Sequence, residues 1–129
     1  MKCPRCHEGD LFISKKAYSL NMASMHKTCS RCGERFEPEP GFYFGAAYVS
    51  YALTVALWVA YYVALITFES LGFYTFTFAD DAIAFILGGI ALLVVLLPLI
   101  YRFSRSIWIN FFVNYRKDAA AYNRERYGK

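Results

Sequence analysis

Charge is missing from two long stretches of this chain. From Gly45 to Phe68 the sequence reads GAAYVSYALTVALWVAYYVALITF, 24 residues without a formal charge. From Ala82 to Tyr101 it reads AIAFILGGIALLVVLLPLIY, another 20 with none. As a helix the first stretch spans roughly 36 Å, enough for a hydrocarbon core about 30 Å thick. A soluble domain of 129 residues has too little other material to wrap two such rods. The missing Asp, Glu, Lys, Arg and His inside both stretches also argue against a proton relay, an ion pathway and a haem held there by histidines. The connector 69–81 lacks Lys and Arg and carries only the acids Glu69, Asp80 and Asp81. No apolar secretory leader opens the sequence, which begins MKCPRCHEGD. No nucleophile stands at a convincing spacing from a base, so nothing points to an enzyme.

What is present is two basic ends around that hairpin. Residues 1–44 hold seven Lys/Arg against five acids, and residues 102–129 hold seven against two. The positive-inside rule then places both ends in the cytoplasm and the acidic connector outside. Basic tails also suit nucleic acid, but beside two spans the bilayer's anionic headgroups are the nearer partner, and no nucleic acid or small-molecule substrate is expected. Aromatic residues are abundant, 12 Phe, 11 Tyr and 2 Trp, and many sit at span ends, where such rings anchor. Those between Phe73 and Phe78 are expected at the outer interface, and Asp80 or Asp81 is expected to cap the second helix.

The chemistry lies in the cysteines. Cys3-Pro4-Arg5-Cys6 and Cys29-Ser30-Arg31-Cys32-Gly33 are two C-x2-C units separated by 22 residues. In a reducing cytoplasm they argue for a metal rather than disulfides. Each unit offers two sulfurs from one tight turn, and two facing turns complete a tetrahedral four-sulfur site of the structural zinc type. Iron in a rubredoxin-like site is the chemical rival, with transient copper behind it. Gly33 follows the second pair, where a positive φ is cheap. The head has few large apolar residues, so metal would supply folding energy. Strands at 11–13 and 18–20 around Ser14-Lys15-Lys16 would make it a zinc ribbon. His7 and His26 flank the pairs and are read as surface residues.

Pro38 and Pro40 make 38–44 an extended interfacial linker, with Gly41 allowing a turn. On the first span Tyr48, Tyr51, Val55, Trp58 and Tyr62 share a face, and Ala46, Ala52, Ala56 and Ala60 permit close approach. Gly88-Gly89 allow close packing, and Pro98 bends the inner end of the second span. Beyond Arg102 and Arg105, the recurrence of Ile107, Phe111 and Tyr115 with Trp108 and Phe112 predicts an interfacial amphipathic helix, or a helical extension that bends along the membrane surface. Residues 118–129 extend a helix through Ala119–Ala121 and then fray.

The combination resembles the DUF983 family of small bacterial membrane proteins. The likeness rests on Cys3-Pro4-Arg5-Cys6 with Glu8-Gly9, on Cys29 and Cys32-Gly33, on Glu37-Pro38-Glu39-Pro40-Gly41-Phe42-Tyr43-Phe44-Gly45-Ala46 and on Pro98-Leu99-Ile100-Tyr101-Arg102-Phe103-Ser104-Arg105-Ser106-Ile107-Trp108. The resemblance implies a zinc-ribbon-like head on a two-helix hairpin and supplies no catalytic residues. Some bacterial relatives are encoded near haem-copper oxidase assembly genes, which points toward a respiratory complex.

The expected fold is therefore an all-α two-helix transmembrane hairpin with a small N-terminal zinc-ribbon-like domain and a C-terminal amphipathic helix. Its parts are a head at 1–37, a linker at 38–44, spans at 45–68 and 82–101, an outer loop at 69–81 and a basic helix and tail at 102–129. The expected site is Cys3, Cys6, Cys29 and Cys32, holding Zn2+ or, alternatively, Fe. The expected setting is the bacterial inner membrane. The expected role is a non-enzymatic accessory or assembly protein docking a larger membrane complex or a second copy, with metal handling or electron transfer as the alternative.

Overall fold

Two long apolar helices dominate the computed structural model, which describes residues 1–75, 77 and 79–128. α1 covers Phe44–Ser70 and α2 covers Ala82–Phe112. At 1.5 Å per residue they are about 40 and 46 Å long, so both exceed a hydrocarbon core of about 30 Å. Both are long and apolar enough to cross a membrane. Neither is the wrapped core helix of a soluble protein, because Tyr48, Tyr51, Val59, Ile83, Leu87 and Val94 all point outward. A third helix, α3, covers Ala119–Tyr127.

α1 ends because Gly72 takes a positive φ of 77°. The amide of Gly72 bonds the Glu69 carbonyl and that of Phe73 bonds the Phe68 carbonyl, the paired closure that satisfies a helix's last carbonyls. Asp81 stands at the start of α2, as expected, but does not cap it. Its carboxylate accepts from the Thr77 amide at 3.1 Å instead. Phe73 and Tyr74 are exposed; Phe76 and Phe78, expected at the outer interface, lie outside the described residues.

The helices meet where α2 is smallest. Trp58 lies over Gly89 and the Tyr61 hydroxyl over Gly88, so a side chain at either glycine would strike a ring or its oxygen. Phe85 stacks on Tyr61 with ring centroids 5.3 Å apart and meets Trp58 edge-on at 5.6 Å. Of the α1 stripe, Trp58 and Tyr62 meet Phe85 of α2, whereas Tyr48, Tyr51 and Val55 are exposed. Among the four alanines only Ala46 is buried. The glycines of α2, not the alanines of α1, set the approach. Both threonine hydroxyls on α1 bond within the helix, Thr54 Oγ1 donating to the Ser50 carbonyl at 2.9 Å and Thr67 Oγ1 to that of Val63 at 2.8 Å.

One expectation fails, and another is met in only one of its two forms. The head is not a zinc ribbon. Among the described residues there is no β-strand, only isolated bridges pairing Lys2 with Asp10, Phe12 with Met25 and Thr28 with Arg35. Residues 11–13 pair with 24–26, not with 18–20: the Ile13 amide bonds the Ser24 carbonyl and the His26 amide bonds Leu11. The intervening segment winds away in turns to reach α2, where the Tyr18 hydroxyl donates to the Val95 carbonyl at 2.7 Å. No ladder extends from the bridges because these residues are spent on tertiary contacts.

The basic exit takes the second of its two expected forms, a helical extension, and is not a separate amphipathic helix. Residues 102–112 continue α2 without a break, and the chain turns only at Val113, whose backbone is extended. The buried face of this extension is Arg102, Ile109 and Val113, while the expected stripe residues Phe111 and Tyr115 point to solvent. The head covers one face of the extension, and Phe103, Phe111 and Phe112 remain exposed on it. α3 then folds back with Ala119 and Asn123 buried, four residues apart on one face, rather than fraying.

Enlarging Gly89 tests the helix contact. Gly89→Val drives two methyls into Trp58, and overpacking of this kind costs about 1–3 kcal/mol. Thermal unfolding in mild detergent should shift downward by several degrees, whereas Ala52→Val, on an exposed position, should leave the midpoint in place.

Candidate metal centre

Each cysteine pair sits on the same turn. In the first, the Cys3 amide bonds the Gly9 carbonyl at 2.8 Å and the His7 amide bonds the Cys3 carbonyl at 2.9 Å. In the second, the Cys29 amide bonds the Glu34 carbonyl and the Gly33 amide bonds the Cys29 carbonyl, both at 2.9 Å. The residue after each second cysteine has a positive φ, 59° at His7 and 72° at Gly33. The left-handed turn is thus a requirement of both knuckles, met cheaply by glycine in one and at some cost by histidine in the other.

The two turns face each other and bring the four Sγ atoms within 4.8 Å of one another. Cys3 and Cys32 sulfurs are 3.8 Å apart, and Cys6 and Cys29 sulfurs 3.7 Å. These are not disulfides, whose sulfurs stand about 2.05 Å apart. A tetrahedron with metal–sulfur bonds of about 2.3 Å has edges of about 3.8 Å, so the donor set fits a metal ion. Cys3, Cys29 and Cys32 are buried and Cys6 is half-buried. Gly9 lies directly against Cys29 Sγ, leaving no room there for a side chain.

Burial dominates the thiol chemistry. It raises Cys3 far above the ordinary thiol range and pushes Cys32 up to about 11, in each case against lowering contributions from nearby backbone amides. At Cys6 burial also pushes upward, but the amides of Gly9 and Glu8 and the neighbouring Cys32 and Cys29 thiols outweigh it and lower the value. Amides aimed at sulfur favour thiolate, and a cation at the centre would supply the rest.

The cluster belongs to a core shared with the helices. Cys3, Leu11, Phe12, Cys29, Cys32 and Phe36 pack with Ile109 and Val113 of the α2 extension and Ala119 of α3. Asn123 Nδ2 donates to the Cys32 carbonyl at 3.0 Å. An ion pair binds the two knuckles: Arg5 Nε, inside the first, donates to Glu34 Oε2, just after the second, at 2.9 Å. Their side chains are only 9% and 3% exposed. Arg5 Nη1 also donates to the Asn114 carbonyl at 3.1 Å, and its guanidinium lies 5.1 Å from the Tyr122 ring centre. Sequence reasoning misses this pair. The one cue is a basic residue within the first C-x2-C and an acid right after the second.

The linker is pinned to the same extension. Trp108 Nε1 donates to the Phe42 carbonyl at 2.8 Å, and the indole covers Gly45. Tyr43 donates to the Phe36 carbonyl at 2.7 Å, and burial, partly offset by Arg105, holds its hydroxyl well above the usual phenol range. The structure sets His7 against Tyr115, ring centroids 4.7 Å apart, and His26 on the surface.

Removing Arg5 alone strands the buried Glu34 carboxylate, and breaking a buried pair from one side costs about 3–5 kcal/mol. Arg5→Met should therefore unfold the head at much lower temperature. The double variant Arg5→Met with Glu34→Leu should recover a large part of that loss; equal instability of single and double variants would show that the pair is not what joins the knuckles.

Residues 21–113 match the family described as "Protein of unknown function (DUF983)". That span takes in Cys29, Cys32, the linker, both long helices and the α2 extension, and begins after the first cysteine pair. No curated protein and no solved structure matches the chain. With nearly three quarters of its length matched, the chain belongs to the DUF983 family.

Proposed function

We propose that this protein is a two-span membrane platform whose head is stapled to its own helices by a structural zinc ion, and that it serves a larger membrane assembly as a non-catalytic accessory subunit. The observation that carries this reading is the shared core: the four-sulfur cluster packs with Ile109, Val113 and Ala119, so a metal there would fix the head to the hairpin. Four thiolates complete a tetrahedron and leave no position for a substrate, which favours a structural over a catalytic ion. Cysteine in a reducing compartment favours zinc bound as thiolate.

The outward apolar surface of α1 and α2 supports the bilayer as their solvent, since patches of this extent are rare in water. The start of α1 and the end of α2 stand together beneath the head, with the acidic loop at the far end. Positive-inside bias then puts the head and both basic ends in the cytoplasm, at the inner membrane. A cleft of about 540 Å3 opens between the head, the linker and α3, flanked by Arg5, Glu34 and Arg126 and floored by Trp108 and Phe112. It offers a membrane-protein partner a mixed charged and aromatic contact at the level where the hairpin leaves the lipid.

Elemental analysis of the purified chain should give one zinc per molecule and no visible thiolate-to-metal absorption. Cys29→Ser should lose most of that metal and open the head to protease. A red, iron-containing preparation would move the protein to electron transfer, and unchanged metal content in Cys29→Ser would reject the cage.

For the assembly role, the chain extracted in gentle detergent should migrate in a native gel with a stable larger complex of fixed composition. Migration only as free protein across several detergents would overturn that role. A reporter inserted after Gly72 should read as external and one fused after Gly128 as cytoplasmic; the same side for both would overturn the two-span topology.

A further inference from the structure

A second cavity, on the other side of the head, carries a different chemistry. It has a volume of about 330 Å3 and is walled by Lys2, Asp10, Phe12, Ser14, Lys15 and Arg102. Arg102 is the first charge after the uncharged run 82–101, and it is only 6% exposed. Its guanidinium lies 4.5 Å from the Phe12 ring centre and donates through Nη2 to the Ser14 carbonyl. Its Nε is buried and has no hydrogen-bond partner. A buried charged donor left unsatisfied is costly, and such groups in native proteins generally have a partner.

The charge around it is unbalanced. Asp10 is the one acid in the wall, and it is already bonded to Lys2 at 2.7 Å. Among the described residues Lys15 has no hydrogen-bond or ion-pair partner and stands exposed at the rim. What the cavity lacks is an anion with acceptor oxygens.

Depth identifies its source. The segment that carries Ser14 and Lys15 goes on to Tyr18, whose hydroxyl bonds the Val95 carbonyl. Val95 lies seven residues before Arg102, about 10 Å deeper along α2 and within the apolar run. Arg102 and Lys15 therefore stand at the level where apolar surface gives way to charge, which in a bilayer is the level of the phospholipid phosphates.

We propose that this cavity holds the phosphodiester of an anionic phospholipid, with Arg102 Nε as the buried donor and Lys15 as the outer cation. The site rests on the two-span reading and is separate from the metal cage and the docking cleft. The reporter fusions test that reading by itself, so its failure and the failure of the lipid site are distinguishable.

The test uses the full chain in neutral detergent, with thermal unfolding followed on addition of phosphatidylglycerol, phosphatidylcholine or inorganic phosphate. Phosphatidylglycerol should raise the midpoint at concentrations where phosphatidylcholine does not. A cation near the membrane surface contributes enough that Lys15→Gln should weaken the apparent affinity about fivefold. Lys27→Gln, a change outside the cavity, should leave it unaltered. Equal shifts from both lipids, or full affinity in Lys15→Gln, would overturn the site. Inorganic phosphate matching phosphatidylglycerol at equal concentration would overturn the lipid as its occupant.

Discussion

Four sulfur atoms drawn within 4.8 Å of one another are the constraint on which the head depends. Burial opposes thiolate at Cys3 and Cys32, and the polypeptide answers with amides aimed at sulfur and with turns that need a left-handed residue after each pair. A segment of this size has little apolar mass of its own, and a small scaffold needs a staple. Here the staple does not close an independent domain. Its surroundings include Ile109, Val113 and Ala119, so the head is completed by the end of α2 and the chain beyond it.

The two helices are the part of the fold most legible in the amino-acid sequence. A run of 20 or more uncharged residues constrains length and environment strongly, and both stretches form helices that include the expected bounds. The cysteine pairs are legible for a similar reason: two C-x2-C units offer four sulfurs from two turns, and the fold brings all four together. The face of α1 is not legible. When every side of a helix is apolar, three- and four-residue spacing cannot separate a neighbour from lipid, and Tyr48 and Tyr51 turn outward while Trp58 turns in. The continuation of α2 past Tyr101 is legible only as one of two forms, because its buried face mixes Arg102 and Ser104 with Ile109 rather than showing an apolar stripe. The ribbon fails because the segment expected as a return strand, 18–20, leaves the head to reach Val95.

Arginine serves structure as much as topology in this chain. Arg102 lies over Phe12, Arg105 over Tyr43 and Tyr101, Arg5 and Arg116 over Tyr122, and Arg35 over Tyr127. A guanidinium on an aromatic face keeps its charge while losing part of its water, which suits the half-buried layer between the long helices and the head. The positive charges counted for membrane orientation are therefore also the contacts that join head, linker and α3. Lysine in their place would preserve the count and lose the stacking.

The joint core has a consequence for biogenesis. The cysteines emerge from the ribosome well before Ile109, Val113, Ala119 and Asn123, which enclose them. The amino-terminal segment must wait, open and with reactive thiols, through the synthesis of both long helices. Closure of the head is therefore a late event, possible only once both long helices have been made and have come together.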